Sequence, residues 1–291
     1  MSTPWAATIA STLAWGGLDA IRKGLSERLE VAPLALWISL AQLPGYLVWA
    51  IFEGNWSIRA SYVAPGLISI ALNIVANIAF FEAMRISPLS ITIPMLSFTP
   101  VFVALASGPW LGEHLAVQQW AGIALVTVGA FLLSASGNSG SSRWALLRSF
   151  FGQRGVRLML WVSVFWALTP LADKTAMKSA GVGVHGLFLA AGVALGMALY
   201  LLARGRLRQA VVPRKLWPLL ALGGCTNVVA QGTQLVAIST MVVSLFEAFK
   251  RALGLLLALA SGRVFFGEPL TVQKTLAGLV MATGVVLVLV R

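Results

Sequence analysis

The sequence predicts an all-α polytopic membrane protein, with ten transmembrane helices arranged as two inverted five-helix repeats. Three observations carry this expectation. Of the 291 residues, 58% are hydrophobic and only 10% charged, whereas a soluble domain usually carries about 25% charged residues. Apolar runs of about twenty residues, the length that crosses a hydrocarbon core roughly 30 Å thick, recur to the C-terminus. The second half of the chain also repeats the first. The 28 glycines and 12 prolines fit this class, because membrane helices tolerate both better than soluble helices do.

The segments fall at about 4–22, 33–52, 62–84, 88–108, 115–134, 157–178, 184–203, 215–238, 241–262 and 271–290. Several of the eleven tryptophans sit near segment ends, where an interfacial belt needs them: Trp5, Trp37, Trp56, Trp110, Trp144 and Trp217. Links are short except between the fifth and sixth segments. The division expected is therefore a first repeat over 1–135, a basic linker over 136–156 and a second repeat over 157–291. The linker opens on Gly and Ser, which favour flexible chain. Beyond that, Trp144, Leu147 and Phe151 among Arg143, Arg148 and Arg154 form either a short interfacial helix or a disordered basic loop.

The repeat is visible residue by residue. Asn73–Gly108 lies over Asn227–Gly262 without a gap, at a shift of 154, and both stretches close on "ALASG". Just beyond, "LGEHLAVQ" (111–118) lies over "FGEPLTVQ" (266–273), and upstream Trp15 and Lys23 match Trp166 and Lys174. Five helices per copy is an odd number, so the second copy enters the membrane in the opposite sense, as in many secondary transporters.

The loops give an orientation. Fifteen of the 21 Lys and Arg residues fall on one side, four (Arg59, Lys174, Lys178, Arg291) on the other, and two inside a segment. The positive-inside rule then puts both termini outside. The net charge of +12 is scattered through these short loops, so an anionic leaflet explains it and nucleic acid is not expected as a partner. One cysteine, Cys225, says nothing of redox compartment. The opening "MSTPWAATIA" lacks a basic n-region and reads as a retained first segment.

Three features resemble the drug/metabolite transporter superfamily, and specifically its proteins with two EamA domains. They are "AWGGLDAIRKG" (14–24), "ISPLSITIPMLSFTPVF" (86–102), and the doubled GE-x-L-x-V-Q followed by Ala121-Gly122 and Ala277-Gly278. The resemblance covers nearly the whole chain. It implies an inner-membrane carrier that exports small metabolites without ATP, with helices one to four and six to nine around a central cavity. It implies no particular substrate.

Enzyme chemistry finds no support. There is no phosphate-cradling G-x-x-x-x-G-K-[ST] loop, so neither ATP nor another cofactor is expected. The two histidines, His114 and His185, fall near loops in different halves and read as surface or interfacial residues, not metal ligands.

The segment "SLFEAFKRALGLLLALASG" (244–262) is the exception to the apolar rule, with Glu247, Lys250 and Arg251 inside it. Lys250 lies about 14 Å along a helix rising ~1.5 Å per residue, near the centre of a roughly 30 Å core. Each cation there costs roughly 2.5–3.5 kcal/mol against lipid. Glu247 reaches either cation on one helical face but neutralises only one. A net positive charge thus remains at mid-membrane, suited to an anionic group of the substrate. The bland alternative pairs Glu247 with Arg251 and gives Lys250 a partner on a neighbouring helix. Phosphate translocators of the same superfamily resemble this site, since they carry a Lys-Arg pair in the penultimate helix and use it on phosphate.

Asn73 and Asn77 on the third segment, and Asn227, Gln231 and Gln234 on the eighth, stripe matching helices and are candidate cavity-lining residues. The alternative is helix-to-helix hydrogen bonding. Trp15 and Trp166 are candidate apolar or cation–π walls, or packing residues. Asp19 and Asp173 lie beside basic residues near helix ends, which suggests local ion pairs. Either, or Glu247, is also a candidate for a coupling proton. Pro88, Pro94, Pro100 and Pro109 crowd the fourth segment, while the ninth has no proline before Pro269. A kinked fourth helix beside a straighter ninth is expected.

The function this supports is secondary transport, by export, of a small polar or anionic metabolite across the inner membrane. The alternatives are a lipid-linked flippase and a non-transporting membrane sensor or assembly protein.

Overall fold

The structure is a computed structural model that describes residues 3–26, 28–87, 92–135, 153–266 and 271–289. Among these residues the chain is helical and contains no strand. The helices are α1 (Thr3–Ser26), α2 (Val31–Glu53), α3 (Val63–Ile86), α4 (Thr99–Leu111), α5 (Val117–Ala135), α6 (Arg154–Ala176), α7 (Val182–Ala203), α8 (Trp217–Thr240), α9 (Val243–Phe266) and α10 (Val272–Leu289). Helix therefore occupies all ten expected segments. Five stretches are long and apolar enough to cross a membrane by length and composition: 32–53, 60–86, 154–176, 182–203 and 272–289.

The repeat extends beyond the residues that revealed it. α6 and α7 begin 151 residues after α1 and α2, α8 begins 154 after α3, and α10 begins 155 after α5. Both α3 and α8 are 24 residues long, and each is entered through a three-residue 3-10 turn, Ala60–Tyr62 or Arg214–Leu216. The fourth segment is interrupted where proline removes backbone donors. A 3-10 stretch, Ile93–Phe98, holds Pro94, and α4 then starts on Thr99-Pro100 and runs 13 residues. α9 is a continuous 24-residue helix. Pro88, residues 136–152 of the linker with its Trp144–Phe151 segment, and the second Gly-Glu at 267–268 lie outside the described residues, while the linker's last residues, from Arg154, already belong to α6.

Two compact units contain these helices. The first comprises residues 1–77 and 169–241, the second 78–168 and 242–291, so the boundaries fall inside α3 and α6. In the first unit α1 packs on α8 and α2 on α7. Small residues allow the approach: a Cβ on Gly183 would meet the Ala50 backbone, and one on Gly186 the Tyr46 ring. These contacts run in opposite order along the chain, so α2 and α7 are antiparallel. In the second unit α5 packs on α10, with Gly122 against Gly284 and Gly129 against Ala277 and Met281. A Cβ on Gly122 would lie 2.7 Å from the Gly284 carbonyl oxygen, a backbone approach that only small residues allow in membrane helix pairs. α5 and α10 are likewise antiparallel.

The Gly-Glu motif at 112–113 is structural. Gly112 ends α4 in the left-handed region at φ 69°, which glycine adopts without a Cβ clash. The Glu113 carboxylate then accepts the backbone N–H of Val243, first residue of α9, at 3.2 and 3.0 Å. An acidic group there satisfies an orphan donor and complements the helix dipole. In the first unit Glu53 does the same for α7, accepting from Val182 and Gly183 at 2.9 and 2.7 Å.

Candidate functional site

The sequence-derived candidates divide between the units. Trp15, Asp19, Asn73, Asn77, Asp173, Asn227, Gln231 and Gln234 belong to the first, and Trp166, Glu247, Lys250 and Arg251 to the second.

In the second unit, Lys250 donates to Glu247 Oε1 at 2.6 Å, one helical turn back. Its ammonium also lies 5.0 Å from the centre of the Phe246 ring, a cation–π distance. Glu247 is buried and Lys250 mostly so. The carboxylate thus selects the lysine, where local pairing with Arg251 was the alternative. Arg251 instead directs Nη2 towards the buried Ser97 hydroxyl at 3.4 Å. Ser97 is its own counterpart in the first repeat, one shift of 154 away. The Arg251 side chain therefore meets the 3-10 stretch of the interrupted fourth segment, whose prolines open the helix at that level. Trp166 packs against Phe80, ring centres 5.4 Å apart, within a cluster containing Met159 and Val162.

In the first unit, the Trp15 indole N–H donates to Gln234 Oε1 at 3.1 Å, joining α1 to α8. The guanidinium of Arg22 sits over the Trp15 ring at 5.4 Å. Asn73 and Asn77 donate to carbonyls one turn back, Ser69 and Asn73. Asn227 is 3% exposed, and its Oδ1 is buried without a hydrogen-bond partner, an arrangement that leaves a polar atom to be satisfied by a ligand or water. Gln231 is half-buried. Asp19 is exposed and lies 3.7 Å from Arg22, the local pair that its spacing suggested.

Asp173 and His185 depart from their expected settings. Asp173 is buried beside His185, whose Nε2 lies 3.1 Å from Asp173 Oδ1. The Ser69 hydroxyl also donates to Oδ1. The other His185 nitrogen, Nδ1, meets the Tyr62 hydroxyl at 3.1 Å. Lys174 turns elsewhere and donates to the Met241 carbonyl at 2.7 Å. His185 is thus no surface residue: although it opens α7, it is covered where α2, α3, α6 and α7 meet. Spacing could not show this, since Ser69, Asp173 and His185 come from three helices. His114 is exposed. Among the described residues no cluster has the composition to hold a metal ion.

Residues 4–135 match the model of the EamA-like transporter family. The chain is 32% identical over 73 residues to the probable 4-amino-4-deoxy-L-arabinose-phosphoundecaprenol flippase subunit ArnE of Yersinia pestis, and equally to that of Yersinia pseudotuberculosis. The matched stretch is 25% of this chain and 61% of each relative's length. A solved crystal structure superposes with a TM-score of 0.78 at 16% identity, covering 99% of this chain and 97% of the other. That likeness is one of fold.

Proposed function

We propose that this chain, whose residues 4–135 match the EamA-like transporter family, is a secondary transporter that moves a small polar or anionic solute across a bacterial inner membrane. The family match is the observation that carries the reading. Two structural features support the inverted repeat it requires. Helices five apart in order (α2 and α7, α5 and α10) run antiparallel where they touch. Exchanging each helix for its counterpart also maps the pairing of α1 with α8 onto that of α6 with α3. That second pairing is made by Met159 and Val162 against Ala83 in one unit and by Asp173 with Ser69 in the other. The repeats are 1–135 and 157–291, both termini facing outward.

The solute's anionic group is read by Lys250 and Arg251. Lys250 donates to the Glu247 carboxylate and Arg251 directs Nη2 towards the Ser97 hydroxyl, and the two cations and one carboxylate of the triad sum to one positive charge. Desolvated cations of this kind bind carboxylate or phosphate strongly. Transport by alternating access needs one half to move against the other, and the interrupted fourth segment is the place where helix continuity is already broken.

The test is a thermal-shift screen of the purified protein against organic acids, sugar phosphates, amino acids and nucleosides. Counterflow of the stabilising compound into proteoliposomes follows. Saturable counterflow without ATP supports the reading. Absence of flux for every stabilising compound overturns it.

The name of the Yersinia relatives favours a second reading, a lipid-linked flippase. Its anionic group would be the phosphate of a polyprenyl carrier, read by the same two cations. Stabilisation by a polyprenyl phosphate but by no soluble solute would select it.

A further inference from the structure

The two halves meet at the same helix junction twice, once through hydrogen-bonded polar side chains and once around leucine. At a shift of 151 His185 corresponds to Leu34, and at 154 Tyr62 corresponds to Leu216. Leu34 and Leu216 are packed together in a buried cluster with Leu25, Leu29, Ile38 and Leu220. Their counterparts, His185 and Tyr62, are hydrogen-bonded together in the same unit. Ser69 corresponds to Gly223, and Asp173 to Arg22. The leucine junction sits at the start of α2, and the polar one near its end, where Ala50 packs with Tyr62 and Val184. The fold therefore closes this junction with hydrocarbon at one end of the unit. Packing does not demand a buried acid and imidazole at the other.

We propose that the Asp173–His185 pair is the site at which the transporter binds and releases a coupling proton. The inference rests on the transport reading and deepens it. An ionised Asp173 only accepts hydrogen bonds, so the Nε2 of His185 carries the proton between them. In the neutral imidazole Nδ1 is then an acceptor, and Tyr62 donates to it. The site as a whole carries one negative charge, deeply buried, and such a charge is costly unless compensated. Adding one proton gives an imidazolium that donates at both nitrogens, and the site becomes neutral. Tyr62 must then turn its hydroxyl from donor to acceptor. One proton thus changes both the charge and the hydrogen-bond direction where α2, α3, α6 and α7 meet.

Among the described residues, Lys174 and Glu53 beside this pair have partners of their own. On α6, Lys174 is committed to the Met241 carbonyl. On α2, Glu53 is held by the N–H groups of Val182 and Gly183, and the hydroxyl of buried Tyr46 has no hydrogen-bond partner. α3 contributes Ser69, a donor to Asp173, and the turn before it contributes Tyr62. On the 3-10 approach, the Arg59 backbone N–H donates to the Ser179 carbonyl at 3.1 Å, and the Ser61 and Ser179 hydroxyls are 2.8 Å apart. Asp173 is three residues from the end of α6, and His185 is in the first turn of α7. The pair is therefore close to one face of the membrane, within reach of bulk protons.

The experiment has two arms on the full-length protein in lipid. In the first, 15N-histidine labelling follows the two imidazoles by NMR from pH 5 to 9. Exposed His114 serves as the internal reference. His185 is expected to titrate in the wild type and to change its titration in Asp173→Asn. A His185 that holds one protonation state across the range, or ignores Asp173→Asn, overturns the proposal. In the second arm, counterflow and pH-gradient-driven uptake of the compound found in the screen are compared. Asp173→Asn and His185→Gln should lower driven uptake by about tenfold or more, within the usual span of coupling factors, while counterflow at uniform pH persists. Wild-type flux indifferent to the pH gradient overturns this inference and leaves the transport reading standing. Wild-type protein with no flux under any gradient overturns the transport reading itself.

Discussion

Lys250 shows how much one side chain within a membrane helix can say. Its ammonium and the Glu247 carboxylate lie 2.6 Å apart, with the carboxylate buried. Removing one partner of such a pair strands the other charge, which costs about 3–5 kcal/mol when burial is complete. Lys250→Met is therefore expected to lower the melting temperature of the detergent-solubilised protein. Adding Glu247→Gln should restore most of the loss. A double variant no more stable than the single one would mean that the pair is not what holds Glu247. The sequence made this triplet legible because it has no charged counterpart: Ile93, Leu96 and Ser97 occupy the equivalent places. The same test applied to His185 and Leu34 would have exposed the buried acid–imidazole pair. It was missed because the shift changes from 151 to 154 between the second and third helices, so the upstream alignment was read only at Trp15 and Lys23.

At the scale of the helix, positions were legible and continuity was not wholly so. Apolar run length found the helices, and among the described residues five stretches have the length and composition to cross a hydrocarbon core. The break in the fourth segment followed from its prolines. The role of the small residues did not follow from spacing, since Ala121-Gly122 and Ala277-Gly278 are matched in sequence while the close contact pairs Gly122 with Gly284. Antiparallel packing shifts the partner along the helix, which a comparison of equivalent positions cannot show. Gly122→Ala is expected to destabilise the protein by about 1–3 kcal/mol, because the added methyl meets backbone that cannot step aside. A denaturation midpoint unchanged by this substitution would contradict the α5–α10 contact. Glu113→Ala removes the acceptor for the first N–H of α9 and should cost about 1 kcal/mol, the usual worth of a cap. Hydrogen exchange at Val243 is the direct readout, expected to quicken in the variant.

For the molecule as a whole, the sequence reveals a duplication, and both proposed sites fall where the two copies differ. The two halves share helix order and the 3-10 entry to their third helices, and outside the fourth segment their helices match in length to within a residue. Among the described residues they differ at the interrupted fourth segment beside the continuous α9, at the charged triplet of α9, and at the polar junction of α2, α3, α6 and α7. The triplet suits an anionic solute and the junction a proton. The other copy builds the triplet's positions from uncharged side chains and the junction's centre from leucine, with Arg22 in the place of Asp173.

Transport by Lys250 and Arg251 is the claim on which the rest depends. Its most direct test is counterflow of the stabilising solute in proteoliposomes holding either wild-type protein or the Lys250→Ala, Arg251→Ala variant, without ATP and at uniform pH. Saturable wild-type counterflow that disappears in a correctly inserted variant is the predicted result. Equal counterflow in both proteins would contradict it.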